Sequence, residues 1–323
     1  MYYNREIQVK KGHELYSYFD EQAHLANNCY NAALFRMRQV MTAVKKDPSA
    51  WTDHEREVME EIEKALPDMG TKYHMPDAKH WVLGSFFMRM YMHASRNPDY
   101  NAKGFSSQIA QHVVGRCSKA MKSFSKAMVE YHKDPSKFTG KPKVPGYRRK
   151  QGTCGFDIPN NSVLLRSSED GTRSLMALPL TEKRMNVDYI DPTLRLKQVT
   201  VTPGNEMYSV HLVLEAVDAP EKEEIKHERI CAIDFGVNNL MAVTNNIGAP
   251  CLLYKGGVIK AANQLFNKTA ARLAAKQTKG TTKKFVGSRN YYRALRKRNN
   301  RISDDIHKTA KSLVQWCVDN NAA

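Results

Sequence analysis

The sequence has no run of about 18 apolar residues, the length that a membrane-spanning helix requires. Its first residues, MYYNREIQVKKGHELYSYF, lack the continuous apolar core of a signal peptide. These absences lead to the expectation of an intracellular, cytoplasmic protein with no membrane partner. No CxxC pair occurs among Cys29, Cys117, Cys154, Cys231, Cys251 and Cys317, so neither a zinc knuckle nor a disulfide framework is indicated and buried free thiols are expected. Acidic residues are scarce: 33 Asp and Glu stand against 50 Lys and Arg, for a net charge of +17. The resulting pI near 9.5 points to a polyanionic partner, with nucleic acid the first candidate.

At 323 residues the chain is long enough for about two domains. Residues 2–10 (YYNREIQVK) alternate as a strand does, and Gly12 ends it. From Glu14 to about Val44 the apolar positions fall at three- and four-residue spacings, which predicts an amphipathic helix stopped at Asp47-Pro48. Further helices are predicted over Asp53–Asp68, Asp77–Ala94 and Ser106–His132. In the last of these, Met121, Phe124, Met128 and Tyr131 form a stripe expected to face the core.

Past Asp134-Pro135 the composition changes. SKFTGKPKVPGYRRKQG, from Ser136 to Gly152, reads as a linker or extended arm. Lys141, Lys143, Arg148, Arg149 and Lys150 place five cations within ten positions, and Tyr147 adds a stackable ring, so a phosphate-contacting edge and a solvated charged loop are both open readings. Five β-rich runs follow: CGFDIP, SVLLRS, SLMALPL, LRLKQVTVTP and YSVHLVLEAV. A small antiparallel barrel or sandwich fits them, and the first strand of the chain could complete it. The acidic connector DAPEKEEIKHE, Asp218 to Glu228, then marks a domain boundary.

Three more strands are predicted in ERICAIDFGVNN, NLMAVTNN and APCLLYKGG, followed by a helix from Lys260 to about Lys276 and a long one from Ser288 to about Asn320. Between Lys255 and Lys311 there are 16 Lys and Arg but only Asp304 and Asp305. The first of the strands carries one carboxylate, Asp234. Asp is depleted in strands, and a buried unpaired carboxylate is costly, so something should meet it. The nonapeptide CAIDFGVNN leaves three answers open: the first metal-binding carboxylate of an RNase H-like nuclease, the DxG hairpin of an actin-like ATPase, or a structural residue paired with an arginine. The chain has no later Gly-rich phosphate loop. Neither His227 nor His307 is needed as a proton shuttle, because a two-metal site makes its own hydroxide.

Taken together, SKFTGKPKVPGYRRK, the β-rich segment, IDFGVNNLMAVTNN and KRNNRISDDIHKTAKSLVQWC resemble, in this order, the transposon-encoded TnpB (OrfB) family and its compact type V CRISPR effector relatives. The resemblance includes the helix SSQIAQHVVGRCSKAMKSF and covers about residues 105–323. Members of that family are RNA-guided DNA endonucleases of prokaryotes. The resemblance implies an α+β fold in which a helical recognition domain (13–134) is inserted in a small β-barrel, the wedge (1–12 and 135–217). A linker (218–225) and the N-terminal part of an RNase H-like RuvC domain (226–323) follow.

It further implies that Asp234 is a catalytic residue and Mg²⁺ ligand. The two-metal site would be completed by residues outside this chain, which on its own would be inactive, and no zinc site is expected within 1–323. The closing DNNAA, residues 319–323, is read as a chance likeness to the family's last motif. Lys141, Lys143, Tyr147, Arg148, Arg149 and Lys150, with Arg293, Arg296, Lys297, Arg298 and Arg301, would contact nucleic acid. The implied partners are a guide RNA and target double-stranded DNA, with a homodimer as a further expectation. A non-catalytic RNA-guided DNA-binding protein is the alternative.

Overall fold

The computed structural model describes residues 2–169, 171–217, 228–236, 238–282 and 284–322. The chain divides into two compact units, Met1–Ala219 and Pro220–Ala323. The acidic connector at 218–227, with His227, lies outside the described residues.

In the first unit, strand β1 (Tyr2–Lys10) is followed by helices α1 (Tyr16–Ala43), α2 (Asp53–Met69), α3 (Ser85–Ala94) and α4 (Ser107–Lys133). Six strands complete it: β2 (Phe156–Pro159), β3 (Leu164–Ser167), β4 (Arg173–Ala177), β5 (Arg184–Asp188), β6 (Leu194–Pro203) and β7 (Met207–Ala216). They pair into two antiparallel sheets, one of order β1-β7-β6-β2 and one of order β3-β4-β5. β1 lies along the whole of β7, from Tyr2 opposite Glu215 to Lys10 opposite Met207, so the four helices form an insertion between two strands of one sheet.

Strand alternation explains the packing. Tyr208, Val210, Leu212 and Leu214 of β7 share one face with Val199 and Val201 of β6 and with Phe156 and Ile158 of β2, and all are buried. That face meets α1, where Phe19 and Tyr16 pack on the Tyr208 ring and the Tyr208 hydroxyl donates to Asp20 Oδ1 at 2.7 Å. Burying each such side chain contributes about 1.5–3 kcal/mol. α2 begins with a capping box: Thr52 Oγ1 accepts from the Glu55 amide while Glu55 accepts from the Thr52 amide.

Burial alone would raise the Glu55 carboxyl. Instead the Lys46 ammonium, 2.8 Å away, and donors from Thr42 and Thr52 hold it down at about 2.

Three local expectations change. The third helix starts at Ser85 rather than Asp77, because Asp77 Oδ1 accepts from the Lys79 and His80 amides and folds that stretch into a turn. β5 was not expected: Met185 and Val187 alternate with Arg184, Asn186 and Asp188, so the strand shows few apolar residues but keeps the period of two. The Met and aromatic stripe of α4 is core only at Met121, since Phe124, Met128 and Tyr131 are half-buried. Ile109, Val113, Val114 and Cys117, in the first half of that helix, make the buried face.

The second unit has an antiparallel sheet of order β10-β9-β8, made from β8 (Cys231–Phe235), β9 (Asn239–Asn245) and β10 (Leu252–Lys255), and then α5 (Gly257–Thr278) and α6 (Arg289–Asp319). Ser288 caps α6 through a hydrogen bond from the Tyr291 amide, and Tyr291 packs on Phe266 of α5. The buried cluster is small: Met241, Val243 and Leu313, with Trp316 and Cys317 against them. The cysteines divide between the units. Cys29, Cys117 and Cys154 are buried as expected, but Cys231 and Cys317 are half-buried and Cys251 is exposed.

Candidate nucleic-acid interface and metal-ligand residue

Asp234 sits on β8 opposite Ala242 of β9. Its neighbours in the strand, Ile233 and Phe235, pair with Val243 and Met241, the residues that meet α6, so the period of two turns Asp234 to the other face of the sheet. Ala232, Ala242, Thr244 and Leu253 lie around it in an open depression of about 420 Å³. Asp234 is exposed, and among the described residues no hydrogen bond or ion pair engages its carboxylate. A structural pairing with arginine is therefore not what it makes.

Gly236 follows at the end of β8. A Cβ there would stand 3.0 Å from the Asn239 carbonyl oxygen, so glycine answers a need of the turn itself. The turn is tied to the start of α5: the Gly256 amide donates to the Asn238 carbonyl at 3.1 Å, and Lys260 Nζ donates to Asn238 Oδ1.

Of the α6 cations, Arg293, Lys297 and Arg301 are exposed, and their four-residue spacing puts them on one face of the helix. Arg296 is half-buried beside them. Arg298 is used internally: its Nε donates to Asn263 Oδ1 at 2.7 Å and holds α6 to α5. The cationic stretch lies roughly 18–30 Å along the helix axis from Leu313, where α6 meets the sheet. His307, on the same helix, is exposed.

The basic arm belongs to the first unit and has no regular secondary structure after the short turn at Pro135–Lys137. One polar row of α1 fixes its backbone. Asn31 exchanges two hydrogen bonds with the Arg148 backbone (2.8 and 3.2 Å), Asn27 Nδ2 donates to the Arg149 carbonyl, and His24 Nδ1 donates to the Gly152 carbonyl. The Arg148 guanidinium lies 4.4 Å from the centre of the Tyr30 ring, and Arg38 covers the Tyr147 ring at 4.9 Å. Arg148 thus anchors the arm. Lys141, Lys143, Arg149 and Lys150 are exposed, and no ion pair engages them among the described residues.

Among the described residues, no group of three or more His, Cys, Asp and Glu stands close enough to hold a metal. A third basic surface, on α4, was not among the expected contacts, because the apolar stripe of that helix is its stronger pattern. Lys119, Lys122 and Lys126 recur at three- and four-residue spacing in GRCSKAMKSFSKAM, which was the available signal.

Residues 211–322 match the OrfB_IS605 family, described as a probable transposase. The resemblance to the TnpB (OrfB) family is borne out, and the OrfB_IS605 segment takes in most of β7, the β8–β10 sheet with Asp234, and both α5 and α6. No curated protein matches the chain. Among solved structures, similarity is found to the Cas12f1-sgRNA-target DNA complex, with TM-score 0.27 and 10% identity over 99% of this chain and 71% of that one. A CRISPR-Cas12f ternary complex is similar at TM-score 0.24 and 10% identity, over 94% of this chain and 62% of that one. No helix among the described residues is long and apolar enough to cross a membrane.

Proposed function

We propose that the protein acts in RNA-guided DNA cleavage, with Asp234 as the first metal-binding carboxylate of an RNase H-like nuclease domain. The observation that carries this reading is the exposed, unpaired carboxylate on the first strand of a three-stranded antiparallel sheet, inside the segment that matches OrfB_IS605. Mg²⁺ takes hard oxygen ligands, often only one or two carboxylates, with water and substrate phosphates completing its shell. Asp234 fits one such position. Bound there, the ion would supply charge stabilisation and an activated water for phosphodiester hydrolysis.

The chain's own part is to hold nucleic acid. Lys141, Lys143, Arg149 and Lys150 on the fixed arm, and Arg293, Arg296, Lys297 and Arg301 on α6, would contact phosphates of guide RNA and target DNA. In this reading β1 with residues 135–217 is the wedge, 13–134 the recognition helices and 226–323 the start of the nuclease domain. The return of β1 to β7 across the helical insertion supports that division.

The test is purification of the protein as its gene encodes it, sequencing of the RNA that accompanies it, and a Mg²⁺-dependent cleavage assay on duplexes matching that RNA. Asp234→Ala should abolish cutting and keep the RNA within a few fold. Undiminished cutting would sink the assignment. RNA-guided DNA binding without cleavage by the wild type would favour the non-catalytic alternative, and nucleotide hydrolysis without RNA the ATPase.

A further inference from the structure

β8 joins its sheet at Cys231, opposite Asn245 of β9. The period of two puts Cys231 on the same face as Ile233 and Phe235, the face that meets α6. Cys317 lies one turn beyond Leu313 on α6, and both cysteines pack against the cluster of Met241, Val243 and Leu313. Their sulfurs stand 3.7 Å apart. No local motif foretells this meeting, because 86 positions separate the two residues.

The surroundings hold the pair in place without using either sulfur. Arg229 Nε and Nη2 donate to the carbonyl of Asn320, the cap residue of α6, at 3.1 and 2.9 Å. The Ile230 amide donates to Asn246 Oδ1 at 2.8 Å, and Asn246 Nδ2 donates to the Glu228 carbonyl at 3.0 Å. The start of β8 is thereby tied both to β9 and to the end of α6. Cys231 and Cys317 are also only half-buried, so a small reagent can reach them, whereas Cys29, Cys117 and Cys154 are buried. Cys251 is exposed, but its sulfur faces Thr244 Oγ1 and no second thiol.

We infer that Cys231 and Cys317 form a redox-active pair, a modification site that passes between dithiol and disulfide with a small-molecule disulfide as its oxidant. A disulfide bond is about 2.05 Å long, so each sulfur has to move by about 0.8 Å. The Cys231 thiolate attacks one sulfur of the oxidant, forming a mixed disulfide and releasing one small thiolate. The Cys317 thiolate then attacks the Cys231 sulfur of that mixed disulfide, forming the internal bond and releasing the second small thiolate. Two electrons pass from the pair to the oxidant, and the two thiol protons leave with the two released thiolates. Burial and the neighbouring Cys231 sulfur push the Cys317 thiol up, which makes it the resolving partner. The bond would close a long loop around a thin core, and it would pin β8 to α6 three residues before Asp234.

The experiment equilibrates the full chain, without denaturant, in glutathione buffers of rising oxidised share, followed by acid quenching, alkylation and peptide mapping. A linked Cys231–Cys317 peptide should rise with the oxidised share and disappear on addition of dithiothreitol. Hydrogen exchange in β8 and β9 should slow at least about tenfold in the oxidised chain. Cys231→Ser and Cys317→Ser should each abolish both effects, and Cys317→Ser should retain glutathione on Cys231 as the trapped mixed disulfide. Cys251→Ser should keep both. Circular dichroism confirms that each variant folds.

A folded wild type in which Cys251 takes up glutathione while no Cys231–Cys317 peptide forms overturns the pair. So does a linked peptide that appears only in urea. A linked peptide with unchanged exchange keeps the pair and overturns its action on β8. The readouts involve neither nucleic acid nor metal, so they are independent of the proposed cleavage.

Discussion

The two units bury their apolar residues very differently. In residues 2–217 the inner faces of β7, β6 and β2 and the facing stripes of α1 and α4 form one continuous buried cluster. In residues 228–322 the buried cluster is Met241, Val243 and Leu313, while Phe235, Leu253, Leu265 and Val314 are exposed. The cysteines follow the same division, buried in the first unit and accessible in the second. The first unit is organised to hold its shape, and the second leaves the face that carries Asp234 open.

The largest effect should come from cutting the deeper core. Phe19→Ala removes a fully buried ring packed on Tyr208 and should cost about 3–5 kcal/mol, against about 2–3 kcal/mol for Leu313→Ala in the thinner cluster. Hydrogen exchange read by mass spectrometry would assign each loss to its unit. Equal acceleration of exchange in β6–β7 and β8–β10 by Phe19→Ala would break the comparison.

Thiol chemistry sharpens it. Cys251 should react with a disulfide reagent at pH 8 about 100-fold faster than Cys29 or Cys117, since the thiolate is the nucleophile and it must be reached. Burial pushes the Cys117 thiol up to about 12 and Cys29 higher still. Peptide mapping after timed alkylation gives the order, and early labelling of Cys117 would contradict it.

A smaller effect is expected at Glu55. Its carboxyl is held below its ordinary value in the folded chain, so its contribution is present above about pH 4.5 and is lost as pH falls toward 2. Glu55→Gln should cost about 1–2 kcal/mol at pH 7, less than the full displacement because the Lys46 ammonium reaches solvent. The difference from wild type should be largely lost by pH 2 and vanish below it, as seen in urea midpoints against pH. Smallest of all, Asp234→Asn should change stability by less than about 0.5 kcal/mol, because the carboxylate is exposed and unpartnered. A larger loss in the same titration would mean that the acid serves the fold.

Much of this fold was legible because its elements keep their period. β1, α1, α2, α4, β6, β7 and the three strands around Asp234 all lie close to where alternation and helical spacing put them. β5 hid because its outward side chains are charged or amide. The turn at Asp77 hid because an Asp side chain competing for local amides leaves no trace in apolar spacing.

At the site, the strand position of Asp234 could be read, but not its solitude, which depends on pairing across β9. Arg148 and Arg298 looked like any other surface cation. Only the approach of Tyr30 and Asn263 distinguishes them, and contacts so distant in sequence leave no local pattern.

The pairing of β1 with β7 also has a consequence for the order in which the molecule forms. Tyr2 cannot meet Glu215 until some two hundred further residues have been made, which at ribosomal speed takes about 10–40 s. During that time α1 to α4, whose contacts are nearer in sequence, can fold while the nine residues of β1 wait without a partner. β1 is thus made long before its partner strand and is among the last elements to be placed, and its arrival on β7 closes the sheet around a finished helical insertion.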